Sequence, residues 1–302
     1  LATDRVGKTS EALSLWLDIV REAPLSYAAL VARARIADRN PSNLPKEAAR
    51  SNLAAGELRE ALLPAGSAEF ARWGFGAEAE EMVLAHERDV PTEPGRTRQA
   101  TLCDAYLATG HAKWAYRKFA SEEGSGCRYP TPFREMVSGA SSKTGIEASF
   151  GYAVMRTESA FDPTVHSPAA AVGLMQLLPE TATQVAQRNA IDEAPLENPH
   201  VNIRQGFHYL AELRKDLGGT MPLVAASYNA GPEAVLRWAK AARASQARAP
   251  KGAPLVDLPL LCELIPYAET RAYVFLVMES YAHYKAREGA EPPRFPLEIP
   301  AL

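Results

Sequence analysis

Apolar residues recur along most of this chain with the spacing of amphipathic helices. The first apolar stripe consists of Ala12, Leu13, Trp16, Leu17, Ile19 and Val20. Residues three and four apart share one face of a helix, so the stripe predicts an amphipathic helix that ends at Pro24. A second helix is predicted from Tyr27. The alternation of apolar and polar residues that marks strands is nearly absent, and the pattern therefore predicts an all-α protein.

The first part of the chain consists of short, alanine-rich helical segments separated by turn residues. Further helices are predicted at 53–63, 67–86, 97–109 and 111–122, with a linker at 40–45. The short connections favour antiparallel neighbours, and the segment from Ala105 to Phe119 resembles one hairpin of a helical solenoid. Residues 1–126 are therefore predicted to form a superhelical domain. Trp16, Trp73 and Trp114 are expected in its core, and sugar stacking by one of them is the alternative.

A domain boundary is predicted where glycine and serine give way to a proline-rich turn. Gly124, Ser125 and Gly126 precede Tyr129-Pro130-Thr131-Pro132, and the motifs become dense beyond this point. The predicted domains are thus residues 1–126 and 127–302. Helices in the second domain are predicted at 133–142, 148–159, 180–188, 202–217, 223–228, 233–242 and 270–285, with a loop at 243–254 and a tail from 291.

Composition narrows the possible partners. The chain is 47% hydrophobic and 23% charged with a net charge of -3, which is typical of a globular protein. Because no basic block is present, neither nucleic acid nor an anionic membrane surface is favoured as a partner. The longest apolar run, 274–278, is too short to span a bilayer. The chain begins at Leu1 without a signal-like segment, so either a leader was removed or the chain begins inside a longer protein.

The three cysteines do not have the spacing of metal ligands. Cys103, Cys127 and Cys262 form no CxxC pair, and an odd number leaves at least one thiol free. A disulfide between Cys103 and Cys127 is possible in an oxidising compartment. Burial of the cysteines as small apolar residues is the favoured interpretation.

One glutamate stands at the end of an apolar helix and is followed by turn-forming residues. Glu158 lies in the run Met155-Arg156-Thr157-Glu158-Ser159-Ala160-Phe161-Asp162-Pro163. Cleavage of a glycosidic bond requires a proton for the leaving oxygen, and burial raises the pKa of a carboxyl group toward neutrality. The helix C-terminus adds negative potential and also disfavours ionisation. Glu158 is therefore the candidate acid, with a surface glutamate at a helix end as the alternative.

A second carboxylate, which glycoside hydrolases normally use, is not evident in the sequence. Asp162 precedes Pro163 and is typical of a turn or helix-capping residue. Glu180 lies in the first turn of a predicted helix. Glu269 lies beside Arg271, and an ion pair between them is the structural alternative to a role in the site.

Several ordered motifs resemble the soluble lytic transglycosylase family. They are Glu158-Ser159-Ala160-Phe161, Ser167-Pro168, Gly173-Leu174-Met175-Gln176, Pro179-Glu180-Thr181-Ala182, Asn198-Pro199, Asn202-Ile203, the run 226–232, Ile265-Pro266-Tyr267 and Glu269-Thr270-Arg271. The similarity covers about residues 133–284 and implies a lysozyme-like fold related to goose-type lysozyme. The first half is similar to the helical superhelix of large soluble members. The chain departs from the family at Val172, where members often have serine, at Leu178, where many have methionine, and at Asn198, where members have aspartate.

The resemblance also implies a reaction. In lytic transglycosylases a single glutamate acts as acid and then as base, the muramic acid C6 hydroxyl attacks its own anomeric carbon, and no water is consumed. Glu158 takes that role here, and the family pattern places Ser167, Gln176, Leu178, Tyr228, Asn229 and Glu269 on the substrate. The implied partner is the peptidoglycan glycan strand and the implied location is the periplasm or cell envelope. No cofactor or metal is expected.

Two other functions stay open at this point. The same scaffold could hydrolyse glycan, as goose-type lysozyme does, or it could bind cell wall without catalysis. The helical half could form an arc that restrains glycan strands, and a processive or end-acting preference is expected if that arc closes around the cleft. It could also bind partner proteins.

Overall fold

The computed structural model describes residues 9–45, 60–92, 94–121, 126–191, 195–248 and 256–302. Regular structure in these ranges is helical, apart from isolated bridges that join Val172 to His166 and to Leu177. The α-helices in these ranges are α1 (Thr9–Glu22), α2 (Tyr27–Arg39), α3 (Ser67–Arg72), α4 (Gly76–Ala85), α5 (Arg98–Ala108), α6 (Lys113–Phe119), α7 (Arg134–Thr144), α8 (Ala148–Ser159), α9 (Pro179–Asn189), α10 (Pro199–Asp216), α11 (Met221–Ala230), α12 (Pro232–Arg248), α13 (Leu258–Glu263) and α14 (Ala268–Arg287). The all-α prediction is confirmed.

Short polar side chains begin several of these helices. Ser26 accepts a hydrogen bond from the Ala29 amide at the start of α2, and Thr97 accepts one from Ala100 at the start of α5. Asp257 does the same for the Leu260 amide at the start of α13. Each bond satisfies one of the backbone amides that a helix leaves without a partner in its first turn.

Several helices differ from the prediction. The single helix expected at 67–86 is two helices, because Gly74 lies in a left-handed turn between α3 and α4. The segment expected as a loop from 243 continues α12 to Arg248, and α13 was not predicted. Most of the helix predicted at 53–63 lies outside the described residues. Within the described part of that range, Glu60–Leu62 forms a 3-10 turn.

The chain divides into two compact units. One contains the described residues within 1–50 and 210–302, and the other contains those within 51–209. The predicted domain boundary after residue 126 is a different division and stays a prediction. We call these the first unit and the second unit.

The first unit has a core built between its two N-terminal helices and its C-terminal helices. Ala12, Trp16 and Val20 of α1 pack against Ala29, Ala32 and Ile36 of α2. The Tyr27 ring lies 4.1 Å from that of Phe275 on α14, and Arg35 forms an ion pair with Asp257. Helix α2 therefore packs against α1 on one side and contacts α14 and Asp257, which directly precedes α13, on the other.

The C-terminal tail is also packed in the first unit. The backbone carbonyl of Leu297 accepts a hydrogen bond from Leu258, and that of Ile299 accepts one from Arg243. Phe295 is buried with its ring edge against Tyr27. None of the described helices combines the length and the apolar composition that a membrane span requires.

The second unit contains a disulfide between Cys103 on α5 and Cys127. The preference for burial of these cysteines as free apolar residues was therefore wrong, while Cys262 is a free and buried thiol. Burial raises the pKa of the Cys262 thiol to about 12.

The tryptophans expected in the core have different environments. Trp16 is buried as predicted, whereas the Trp73 side chain is 66% exposed beside Phe70 and Phe75. Trp73 follows the short helix α3 at a left-handed glycine, so its side chain is not on a packed helix face. Trp114 is half-buried, and its indole nitrogen donates to Glu81.

Candidate active site

Helix α8 delivers Glu158 to the end of a buried element. Phe150, Val154 and Met155 are fully buried, and Glu158 in the last turn is half-buried. The predicted bounds of this helix, 148–159, are confirmed. The prediction that Glu158 lies at the end of an apolar helix is therefore confirmed.

The chain turns sharply directly after Glu158. Ala160 and Phe161 both have left-handed backbone conformations, with φ of 51° and 64°. The Ser159 hydroxyl accepts a hydrogen bond from the Phe161 amide and donates to the Met155 carbonyl. The Asp162 amide donates to the Ser159 carbonyl. Left-handed conformations are costly for residues with a Cβ, so surrounding contacts must hold this turn in place.

Asp162 is a fully engaged structural carboxylate. Its Oδ2 atom accepts from Arg117 at 3.0 Å and lies 3.2 Å from the Lys113 ammonium, while Oδ1 accepts from the amide and hydroxyl of Thr164. Burial alone would raise the pKa of Asp162, but the Thr164 hydrogen bonds and the Lys113 charge outweigh it and lower that pKa. Asp162 is therefore ionised at neutral pH, and its turn-forming role is confirmed.

Ser167 and Gln176 lie in the loop between α8 and α9, which is held together by their side chains. The Ser167 hydroxyl oxygen accepts from the amides of Ala169 and Ala171. The Gln176 Nε2 group donates to the carbonyls of Val165 and Gly173, at 3.1 and 2.9 Å. These two hydrogen bonds hold the Gln176 amide group against the backbone of its own loop.

Asn202 on α10 holds the loop between α8 and α9 in place through hydrogen bonds to its backbone. Asn202 is fully buried, accepts from the Met175 amide and donates to the carbonyls of Val172 and Leu196. A Cβ at Gly173, where φ is 79°, would lie 2.5 Å from the Asn202 amide nitrogen. Gly173 is thus required by a close approach as well as by its backbone conformation.

Leu178 and Glu180 are at the surface where α9 begins. The Leu178 side chain is 45% exposed and directly precedes Pro179. Glu180 is exposed in the first turn of α9, as predicted, and accepts a hydrogen bond from Gln184. That Leu178 contacts substrate stays a prediction.

The other predicted substrate residues belong to the first unit. Tyr228 and Asn229 are half-buried in the last turn of α11, and the Asn229 oxygen accepts from the buried Thr270 hydroxyl at 2.6 Å. Glu269 is exposed in the first turn of α14. In the described part of the chain it forms no ion pair with Arg271, which donates to the Ile265 carbonyl instead, so the expected pair was wrong. That these three residues share one groove with Glu158 stays a prediction.

Sequence analysis missed the residues of α6 that bind the turn after Glu158. Lys113, Tyr116 and Arg117 are three and four positions apart and so share one helix face. Their spacing indicates a cationic and aromatic helix face. The sequence around them does not show that Arg117 binds Asp162, which lies 45 residues further along the chain. In the described ranges no three His, Cys, Asp or Glu side chains are grouped as metal ligands would be.

Comparison with known proteins identifies the middle of the chain. Residues 135–250 match the family model described as "Transglycosylase SLT domain". This part of the chain is therefore similar to SLT domains. The matched range includes Glu158, Ser167, Gln176, Leu178, Tyr228 and Asn229, whereas Glu269 follows the end of the range.

Curated relatives of the SLT domain are murein transglycosylases. The chain is 32% identical over 169 residues to the soluble lytic murein transglycosylase of Escherichia coli K12, covering 55% of this chain and 25% of that protein. It is 41% identical over 105 residues to membrane-bound lytic murein transglycosylase C of Actinobacillus pleuropneumoniae serotype 5b, covering 31% and 29% respectively. The chain therefore spans between a quarter and a third of these relatives.

Solved structures show the same fold. The 70 kDa soluble lytic transglycosylase SLT70 of Escherichia coli superposes with a TM-score of 0.65 at 23% identity, over 97% of this chain and 46% of that one. An inactive glutamate-to-glutamine mutant of lytic transglycosylase Slt from Pseudomonas aeruginosa superposes with a TM-score of 0.60 at 23% identity, over 94% and 44%. The similarity confirms the predicted mainly α, lysozyme-like fold around the SLT domain.

Proposed function

We propose that this chain is a peptidoglycan lytic transglycosylase in which Glu158 is the acid and then the base. The observation that carries the proposal is the match of residues 135–250 to the SLT domain, with Glu158 at the end of its most buried helix. The nearest carboxylate along the chain, Asp162, is bound by two cations and is therefore unsuited to a nucleophilic role. This arrangement favours chemistry in which a single carboxyl group, that of Glu158, transfers the proton.

The proposed reaction uses the same oxygen pair of Glu158 twice. The protonated carboxyl donates its proton to the glycosidic oxygen as the bond between that oxygen and C1 of N-acetylmuramic acid breaks. The carboxylate then takes the proton of the C6 hydroxyl while O6 bonds to C1. The products are a free 4-hydroxyl on N-acetylglucosamine and a 1,6-anhydro-muramic acid end, so atoms balance without water.

The loop after α8 supplies substrate contacts in this proposal. The Gln176 amide is oriented by its two internal hydrogen bonds, so its oxygen can accept from a sugar hydroxyl or acetamido N–H. Ser167 uses its oxygen for the turn and keeps its hydroxyl hydrogen for a sugar oxygen. Leu178 offers an apolar surface, and Tyr228, Asn229 and Glu269 are proposed to contact the saccharide or its peptide.

The substrate determines where the protein acts. Peptidoglycan lies outside the cytoplasm, so we assign the chain to the periplasm or cell envelope. The Cys103–Cys127 disulfide supports an oxidising compartment.

A Glu158→Gln variant tests the proposal. Because amide side chains cannot transfer the proton, release of anhydro-muropeptides from purified sacculi should fall by on the order of 10²- to 10⁴-fold. The matched control is Glu180→Gln, which removes an exposed carboxylate of the same domain and should keep activity near that of the wild type.

Mass analysis of the products separates the alternatives. Reducing muramic ends instead of anhydro ends would show hydrolysis, and binding to sacculi without soluble product would show a non-catalytic wall-binding protein. Near-normal activity of the Glu158→Gln variant would overturn the role of that residue.

A further inference from the structure

The face of α6 formed by Lys113, Tyr116 and Arg117, here called the α6 clamp, contacts the turn that follows Glu158. Lys113 and Arg117 bind the same Oδ2 atom of Asp162. The Tyr116 ring lies edge-on to the Phe161 ring, with centroids 5.6 Å apart. The clamp therefore contacts two consecutive residues, one through charge and one through packing.

Phe161 lies in the strained part of the turn, and Asp162 directly follows it. Phe161 is fully buried although its backbone is left-handed, and Ala160 before it is left-handed as well. A non-glycine residue in this conformation costs on the order of 1–3 kcal/mol and persists only where its surroundings fix it. Burial of the Phe161 ring against Tyr116 and fixation of Asp162 provide such surroundings.

Arg156, two residues before Glu158, is held on the same side. Its guanidinium lies 5.1 Å from the Tyr116 ring and 4.7 Å from the Tyr129 ring, and its Nε atom donates to the Arg128 carbonyl. Stacking of this kind fixes the cation between the two rings. Tyr116 thus touches residues on both sides of Glu158 along the chain.

The start of α6, the helix that carries the clamp, is held in place by a buried carboxylate. The buried Glu80 carboxylate accepts from the Trp114 amide in the first turn of α6 and from His111 just before it. A negative group at a helix N-terminus stabilises the helix through its dipole. The Cys103–Cys127 disulfide closes the segment that contains α6.

We propose that Lys113, Tyr116 and Arg117 are positioning residues that fix the carboxyl group of Glu158 through the Ala160–Asp162 turn. This inference rests on the proposed function, because it assigns to the clamp an effect on the proton-transferring residue. Without the clamp, the turn can relax toward ordinary backbone conformations, and the last turn of α8 moves with it. Displacement of a catalytic group by about 1 Å can reduce the rate on the order of 10²-fold.

Two double variants at the same positions test the proposal. Lys113→Gln with Arg117→Gln removes both charges, whereas Lys113→Arg with Arg117→Lys keeps both charges and exchanges the side chains. The charge-removing pair should lower kcat for release of anhydro-muropeptides by roughly 10- to 100-fold with little change in KM, since substrate contacts are untouched. The charge-keeping pair should recover most of that loss.

Asp162→Asn provides an independent arm, because it breaks the same contacts from the other side and leaves α6 unchanged. Its matched control is Asp104→Asn, which removes a half-buried partner of Arg96 in the same unit, at 2.8 Å. Both variants should lower the melting temperature, but only Asp162→Asn should lower kcat.

The outcomes separate the two proposals. If the charge-removing pair and Asp162→Asn keep kcat within about twofold of the wild type while Glu158→Gln is inactive, the clamp is only structural and the inference is overturned. If Glu158→Gln is active, the proposed function fails instead.

Discussion

Two carboxylates near the end of α8 have different surroundings. Asp162 is 5% exposed and is bound by Lys113, Arg117 and Thr164. Glu158 is half-buried in the last helical turn, where the dipole disfavours a negative charge. Under the proposed function these two carboxyl groups have separate roles, since Asp162 holds the turn and Glu158 transfers the proton.

The lowered pKa of Asp162 predicts how its contribution to stability depends on pH. A group whose pKa is lower in the folded than in the unfolded chain stabilises the fold above the unfolded pKa and loses that effect as pH falls through the folded pKa. The difference in melting temperature between wild type and Asp162→Asn should thus be constant above about pH 5 and shrink below about pH 4. Thermal unfolding across this range measures it, and a difference that persists at the acid end would contradict the assignment.

At the scale of single residues, local signals could be predicted and distant partners could not. Glu158 at the end of a helix follows from the apolar stripe before it, and Asp162 before Pro163 indicates a turn. Lys113 and Arg117 bind Asp162 because tertiary packing brings them together, and the spacing of apolar residues along the chain does not reveal such contacts. The exposure of Trp73 was mispredicted for the same reason, since tryptophan composition alone favoured a core position.

At the scale of elements, a glycine on α8 and another on α10 allow close packing, the first between these two helices and the second between α10 and the loop after α8. A Cβ on Gly151 of α8 would lie 2.1 Å from the Cζ atom of Phe207 on α10. A Cβ on Gly206 would lie 2.2 Å from the sulfur of Met175. The flexible methionine can adjust to such a group, whereas the fully buried Phe207 ring has little room to move.

Alanine substitutions at two helical glycines should therefore have opposite effects. Gly151→Ala overpacks a rigid ring contact and should lower the free energy of unfolding by about 1–3 kcal/mol. Gly139→Ala on α7, where a Cβ would meet nothing within 4 Å, should raise it by about 0.5–1 kcal/mol. Chemical denaturation compares the two, and stabilisation by Gly151→Ala would show that the helices can separate freely.

The helix predictions succeeded where apolar spacing and breakers agreed. The bounds of α8 follow from its buried stripe, while α13 is a short helix that begins with Leu258-Pro259 and gives little periodic signal. The extension of α12 to Arg248 was missed although alanine, arginine and glutamine all favour helix there. That segment has no apolar stripe, so hydrophobic periodicity gives no helix signal there.

At the scale of the whole molecule, the disulfide restricts the part of the chain that carries the clamp. It joins residues 24 positions apart, and a cross-link of this span stabilises a protein by about 3 kcal/mol. The sequence permitted this bond but could not select it over free cysteines, because pairing depends on how α5 meets the segment at 126–128.

Reduction of the disulfide should lower the melting temperature of the wild type and should also reduce its activity, since α6 becomes less constrained. Cys103→Ser should reproduce both effects, and added reductant should then change nothing further. Unfolding scans with and without dithiothreitol make the comparison. An equal response of the variant to reductant would point to another thiol.

The first 126 residues of the chain contribute side chains to each compact unit. Tyr27 and Arg35 pack within the first unit against α14 and Asp257, and Tyr116 and Arg117 pack within the second against Phe161 and Asp162. A recombinant chimera that joined residues 127–302 to a foreign helical half would therefore keep Glu158 and the turn after it but would lack Tyr116 and Arg117, which contact that turn. Modular exchange between relatives would succeed only where the donor half carries an equivalent of the α6 face, so the two halves are expected to evolve as a matched pair.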